Sequence, residues 1–278
     1  MSFNLIETLD DLNFLNKELL LRPYVGVDTE FRRTTKDNMR LALLQINDSE
    51  EIYLIDTLLI EDPQENASFL FSESVTKIFH SCKEDIEAIY SWTGQIMVNL
   101  FDTQLADAFL NGHYSISYQG LVEEKFGIIV DKGETRSNWI RRPLRDSQLI
   151  YAASDVEFLI ELYIDQKESL EKQNKLTWLE EEISFLSSRI FNPLDAREDP
   201  LNGLTKGEEK ALLNKFHEVV LETAETRDIN PTLFFSKKSQ KDFLRLTLDI
   251  GLENALNKIP SWRSELIATP ISNLLKDF

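Results

Sequence analysis

The chemistry this chain could carry is read most readily from its carboxylates. It holds one cysteine, Cys82, and three histidines, none in an H-E-x-x-H or similar pair. It has no G-x-x-x-x-G-K-[ST], no G-x-G-x-x-G and no G-x-S-x-G segment. A Cys-rich zinc site, a P-loop, a dinucleotide fingerprint and a nucleophile elbow are therefore excluded. What remains is carboxylate, and D-x-E recurs at Asp28/Glu30, Asp48/Glu50, Asp85/Glu87 and Asp155/Glu157. In so acidic a chain the pattern alone decides nothing, so the face each acid occupies has to be read.

In Tyr24-Val25-Gly26-Val27-Asp28-Thr29-Glu30-Phe31 the side chains alternate, which puts Asp28 and Glu30 on one face and Val25, Val27 and Phe31 on the core face. Two adjacent like charges repel unless a cation lies between them; a solvated strand edge would explain them equally well. Ser81 followed by Glu84 reads as a capping box that starts a helix at Cys82. Asp85 then falls inside the apolar stripe Cys82, Ile86, Ile89 and Tyr90, where a charge is costly unless paired or metal-bound. The competing reading is a partly exposed acid favoured by the helix dipole. In a helix over 147–165, Tyr151, Asp155, Phe158, Leu159 and Leu162 share a face, so Asp155 lies in an apolar stripe one turn from the Tyr151 hydroxyl. A core tyrosine beside an incidental acid is the plainer account. Together, Asp28, Glu30, Asp85 and Asp155 form an all-oxygen set that suits Mg²⁺ or Mn²⁺ rather than zinc. A cage for two such cations serves in-line displacement at phosphorus.

These residues need a scaffold that mixes strands and helices. Strands are expected at Tyr24–Phe31, Leu41–Ile46, Glu51–Asp56, Lys77–His80 and Val98–Phe101, and helices at 7–20, 82–92, 103–110, 117–126 and 147–165. The order predicts an α/β fold with a mixed sheet and helices on its faces. A helix with apolar positions Leu176, Trp178, Leu179, Ile183 and Leu186 follows. After it comes a turn-rich linker near 192–203 with Asn192-Pro193, Asp199-Pro200 and Asn202-Gly203. The expected division is 1–170, then 171–203 as helix and linker, then 204–278.

The 278 residues carry 48 acids and 30 bases, a net charge of −18. From Leu204 onward, 11 acids balance 11 bases, so the excess lies wholly in the first 203 residues. Such a field opposes binding of nucleic acid by bulk charge. No apolar run approaches the roughly 18 residues of a membrane span, and the start lacks the basic and apolar regions of a signal peptide. A cytoplasmic, monomeric protein with no membrane association is expected.

Val27-Asp28-Thr29-Glu30-Phe31, His80-Ser81-Cys82-Lys83-Glu84-Asp85, Phe101-Asp102-Thr103-Gln104 and Tyr151-Ala152-Ala153-Ser154-Asp155 resemble, in order, the exonuclease motifs of ribonuclease D. Trp139-Ile140-Arg141-Arg142-Pro143-Leu144 is similar to that family's segment before its third motif. The resemblance implies a ribonuclease H-like fold of the DEDD 3′–5′ exonucleases, and Tyr151 places it with the DEDDy subclass. It implies two divalent cations on Asp28, Glu30, Asp85 and Asp155, with Tyr151 orienting the attacking water. It also implies release of nucleoside 5′-monophosphates from the 3′ ends of tRNA precursors and other small structured RNAs. Residues 204–278 resemble one HRDC domain, a small all-α fold, with a first helix over Thr205–Ala224, a turn at Arg227–Pro231 and a closing helix through Trp262 and Leu275.

Asp102 reads as a helix cap rather than a ligand, Asp56 and Asp107 as structural or solvated, and Cys82 as core filler. Thr29 and His80 are candidate substrate contacts, although a packed strand-end histidine is the commoner case. Lys132, Arg136, Arg141, Arg142 and Arg145 form one basic cluster. Lys237, Lys238, Lys241 and Arg245, interleaved with Phe234, Phe235 and Phe243, form a second; Arg136, Arg141, Lys237 and Lys238 are the candidate RNA contacts. Two other functions stay open from the residues alone: a 3′–5′ DNA exonuclease of the same chemistry, and a non-catalytic RNA-binding module.

Overall fold

The computed structural model describes residues 2–35, 38–131, 133–192 and 204–276. The chain divides into two compact units, Met1–Ala106 with Ser115–Lys172, and Asp107–Tyr114 with Gln173–Phe278.

The first unit is built on a six-stranded sheet. Its strands are β1 (Asn4–Ile6), β2 (Tyr24–Thr35), β3 (Asn38–Asn47), β4 (Ile52–Ile55), β5 (Thr76–Phe79) and β6 (Leu100–Asp102). They lie in the order β1-β4-β3-β2-β5-β6. The pairs β2–β3 and β3–β4 are antiparallel, and β1–β4, β2–β5 and β5–β6 are parallel. The sheet is mixed, as expected. Leu41 to Ile46 are buried without interruption, which marks β3 as covered on both faces. The unit's helices are α1 (Leu9–Leu19), α2 (Lys83–Thr93), α4 (Tyr118–Phe126), α5 (Asp146–Ser154) and α6 (Leu159–Lys172), together with the first turn of α3 (Thr103–Asn111), which from Asp107 on counts with the second unit.

Four features depart from the sequence reading. Strand β1 was not expected; three residues are too few to show a period. The helix expected over 147–165 is two, α5 and α6, broken at Asp155–Phe158. The capping box at Ser81 does not form: Ser81 takes a left-handed φ of 67°, and α2 starts at Lys83 with no side-chain cap. Phe31 is only half-buried where the β2–β3 register shifts, with Glu30 opposite Leu43 and Phe31 opposite Leu41. That shift leaves Ala42 of β3 as the extra residue of a bulge, while alternation continues along β2.

The second unit is all-α, in accord with the HRDC-like expectation: α7 (Leu176–Phe191), α8 (Lys206–Thr226), α9 (Pro231–Phe234), α10 (Lys237–Ile250), α11 (Leu252–Leu256) and α12 (Ser261–Lys276). Thr205 and Glu208 cap α8 reciprocally. Phe216, Phe234, Phe235 and Phe243 are buried in one aromatic cluster. From residue 193 on, the expected linker lies outside the described residues. No described helix is long and apolar enough to cross a membrane.

Candidate active site

Strand β2 sorts its side chains between two faces. Thr29 and Arg33 face α2: Thr29 Oγ1 donates to Asp85 Oδ1 at 2.5 Å, and Arg33 Nη2 donates to Glu87 Oε2 at 2.6 Å. Gly26, Asp28 and Glu30 face the α5–α6 junction. Gly26 is what lets that junction come close, since a Cβ there would lie 3.1 Å from Leu159 Cβ and 3.4 Å from the Val156 carbonyl.

The junction exists because side chains from distant segments complete a broken helix. The Tyr118 hydroxyl sits in the gap, accepting from Phe158 N at 3.0 Å and donating to the Ser154 carbonyl at 3.1 Å. Asn47 Nδ2, at the end of β3, donates to the Val156 and Glu157 carbonyls at 3.0 and 3.1 Å. The turn they hold points Asp155 at β2. Ligand oxygens of Asp28, Glu30 and Asp155 lie within 4.8 Å of one another.

Asp85 is not in that trio. It is 6% exposed, held by Thr29, and its charge is the largest single electrostatic influence on Asp28. Of its expected apolar stripe, Cys82, Ile86 and Ile89 are buried, while Tyr90 is 41% exposed. Burial drives all four carboxyls above their ordinary range: Glu30 to about 9, Asp85 and Asp155 to about 7. Asp28 rises well above its usual value, through burial first and then the charges of Asp85, Asp155 and Glu30. No basic side chain pairs with any of them among the described residues, and Asp155 Oδ1 is buried without a hydrogen-bond partner. Hard carboxylate oxygens, clustered, under-satisfied and mutually repelling, fit divalent cations.

Tyr151 is buried on α5. Its hydroxyl meets Thr135 Oγ1 at 3.1 Å and hydrogen-bonds the Asp155 carboxylate. Burial and that carboxylate push the phenol above its ordinary value, so it stays protonated at neutral pH. A cleft of about 200 Å³ opens over Asp28, Glu30, Tyr151 and Asp155, with Thr29, His80, Tyr118 and Thr135 also on its walls. His80 is held at both ring nitrogens, Nδ1 by Thr103 Oγ1 at 2.9 Å and Nε2 by the Ile116 carbonyl at 3.0 Å.

Asp102 caps α3, accepting from Gln104 N and Leu105 N, and also from Ser81 N and Cys82 N at 3.0 and 2.9 Å. That second pair of bonds fixes the left-handed Ser81 turn and explains why Ser81 does not cap α2.

The basic clusters are redistributed. Arg142 is structural, binding the Asp56 carboxylate and the Ala42 carbonyl. Arg145 pairs with Glu134, while Arg136 and Arg141 are exposed; Lys132 lies outside the described residues. In the second unit Lys237 and Lys238 are exposed, but the phenylalanines between the basic residues are core and offer no surface for bases to stack on. Asp107 is buried and takes Asn111 and His113.

Fold and site together define a mixed-sheet nuclease domain whose carboxylates are gathered for divalent metal. The chain belongs to the 3′–5′ exonuclease family, whose family model matches residues 3–171. It is 38% identical over 182 residues to ribonuclease D of Pseudomonas paraeruginosa, an alignment covering 66% of this chain and 48% of that protein. The chain spans about half the length of the curated relatives it matches. The crystal structure of Escherichia coli RNase D, an exoribonuclease involved in structured RNA processing, superposes with a TM-score of 0.67 at 27% identity, covering 100% of this chain and 75% of that one. It shows the ribonuclease H-like exonuclease fold. Brucella melitensis NrnC with bound Mg²⁺ shares that fold, with a TM-score of 0.58 at 24% identity, over 74% of this chain and 100% of its own.

Proposed function

We propose that this protein is a 3′–5′ exoribonuclease that hydrolyses the 3′-terminal phosphodiester of RNA and releases nucleoside 5′-monophosphates. The observation that carries the reading is the trio Asp28, Glu30 and Asp155, within 4.8 Å of one another, with an unpartnered buried oxygen on Asp155. Asp28, Glu30, Asp85 and Asp155 would hold two divalent cations, Mg²⁺ or Mn²⁺. When bound, the cations would supply an acidified water and stabilise the charge that develops on the oxygens at phosphorus.

The chain's own residues account for the rest. Thr29 steers Asp85 by the bond between them. Tyr151 keeps its proton, and between Thr135 and Asp155 it is placed to orient the attacking water rather than to act as a base. His80 has both nitrogens engaged, so its offer to a substrate is its ring face. Thr29 lines the cleft beside the terminal nucleotide's site. Arg136 and Arg141, and Lys237 and Lys238 in the second unit, are the proposed phosphate contacts.

By likeness to ribonuclease D, tRNA precursors and other small structured RNAs are the substrates, and the enzyme works as a monomer in the cytoplasm. The test is product analysis with 3′-labelled RNA and Mg²⁺ or Mn²⁺, beside a DNA oligonucleotide of the same sequence. Stepwise release of labelled mononucleotides from RNA, faster than from DNA, is expected. Internal cleavage, or preference for DNA, would overturn the reading.

A further inference from the structure

The antiparallel arm of β2 and β3 continues past the carboxylates. On β2, Arg33 turns toward α2 and is tied to Glu87 and Glu84. Alternation therefore puts Arg32 on the other face, in line with Asp28 and Glu30 and about 7 Å further along the strand. Arg40 of β3 is its direct cross-strand partner. Both arginines are exposed and neither has an acid partner among the described residues.

Like charges directly opposite across a sheet repel. Among the described residues the two guanidinium groups stand beside one another with no acid between them. Arg142 seats the segment before α5 against Ala42, two residues from Arg40, so exposed Arg141 belongs to the same neighbourhood. An anion shared between Arg32 and Arg40 would relieve their repulsion, and guanidinium forks match phosphate oxygens.

We propose that Arg32 and Arg40 form a clamp for the backbone phosphates of a single RNA strand, upstream of the 3′-terminal nucleotide whose linkage lies at the carboxylates. This rests on the exonuclease reading above and adds where the strand runs on leaving the cleft. A dinucleotide with no 5′ phosphate has its one phosphate at the carboxylates and offers the arm none, whereas a longer strand does. The clamp thus sets how affinity grows with chain length, not the rate of the chemical step.

The test compares wild type with the double variant Arg32→Gln/Arg40→Gln on a dinucleotide and an octanucleotide. For the octanucleotide, half-saturation should rise roughly tenfold, the size of one lost charge-assisted hydrogen bond. Its log-log salt slope should flatten by about 0.7 for each phosphate contact removed. For the dinucleotide, turnover and half-saturation should match wild type. Lysine at both positions should keep most of the salt slope. Anisotropy of a fluorescent octanucleotide, measured in parallel, decides the clamp independently of hydrolysis. Equal affinity and equal salt slope in the variant would overturn it. Clamp-dependent binding by a wild-type protein that hydrolyses nothing would sustain the clamp and overturn the exonuclease reading alone.

Discussion

Two acids, one in each unit, meet the loss of water in opposite ways: buried Glu182 in the second and half-buried Asp155 in the first. Glu182 on α7 is 6% exposed, and both its oxygens are satisfied: Oε1 by Trp262 Nε1 at 2.8 Å and Oε2 by Arg263 Nη2 at 2.5 Å. Burial raises its pKa while Arg263 pulls it down. Asp155 has a comparable burden of desolvation, no cation beside it and one oxygen without a partner. Its neighbours Asp28 and Glu30 add repulsion instead of relief. A buried acid whose bonds are complete ties helices together. One that is left incomplete, among others of its sign, is waiting for a ligand, and the fold carries the cost meanwhile. Asp102 belongs with Glu182 in this respect: it is 4% exposed, but four backbone N–H groups satisfy it.

The largest effect expected from this contrast is on turnover. Asp28→Asn or Asp155→Asn should abolish hydrolysis while leaving the metal-free protein as stable as wild type or slightly more so, because one repelling charge is gone. Turnover at saturating Mn²⁺ together with melting temperature in chelator checks both halves. Wild-type turnover by Asp155→Asn would end the two-metal assignment.

Tyr151→Phe should follow, slowing hydrolysis by roughly 10²–10⁴, the span of a lost water-orienting or proton-transfer group. RNA affinity should hardly change, since the ring keeps its packing against Trp139. An equal loss of binding and turnover would make Tyr151 a platform for substrate instead.

The second unit should show the reverse pattern. Glu182→Ala leaves the Arg263 charge buried and unpaired and should cost about 3–5 kcal/mol of stability, read by chemical denaturation. If it stabilised the protein as the cage variants are expected to, the contrast between satisfied and unsatisfied acids would fail.

A further effect is on pH dependence without metal. The folded pKa values of Glu30, Asp85 and Asp155, about 9, 7 and 7, lie above the roughly 4 of an unfolded chain. Between those limits the folded state holds more protons than the unfolded one. Stability contributed by these groups is therefore full below about pH 4 and declines as pH rises toward 9. Melting in chelator across that range should show the decline, and saturating Mn²⁺ should flatten it.

The carboxylates and Tyr151 could be found in the sequence because period and polarity conflict there: acids at strand and helix positions where apolar neighbours define a face. The means of placing them was not legible. The stripe Tyr151, Asp155, Phe158, Leu159 and Leu162 keeps its helical phase through a break that Tyr118 and Asn47 make from 36 and 109 residues away. Ser81 and Glu84 have the spacing of a cap, but Asp102 takes the Ser81 backbone into a left-handed turn first. Phe234, Phe235 and Phe243, interleaved with Lys237, Lys238 and Lys241, read as part of an RNA-contacting patch, and only tertiary packing shows that they are core. In each case contacts with distant segments overrode the local pattern.

If Asp155 is left incomplete for a cation's sake, a cation should stabilise the fold through it. Thermal or chemical unfolding with Mn²⁺ added, on wild type and Asp155→Asn side by side, tests it most directly. Wild type should gain stability with metal, by about 2.7 kcal/mol at a hundredfold excess over Kd, and Asp155→Asn should gain far less at the same concentration. Equal stabilisation of the two proteins by Mn²⁺ would contradict it.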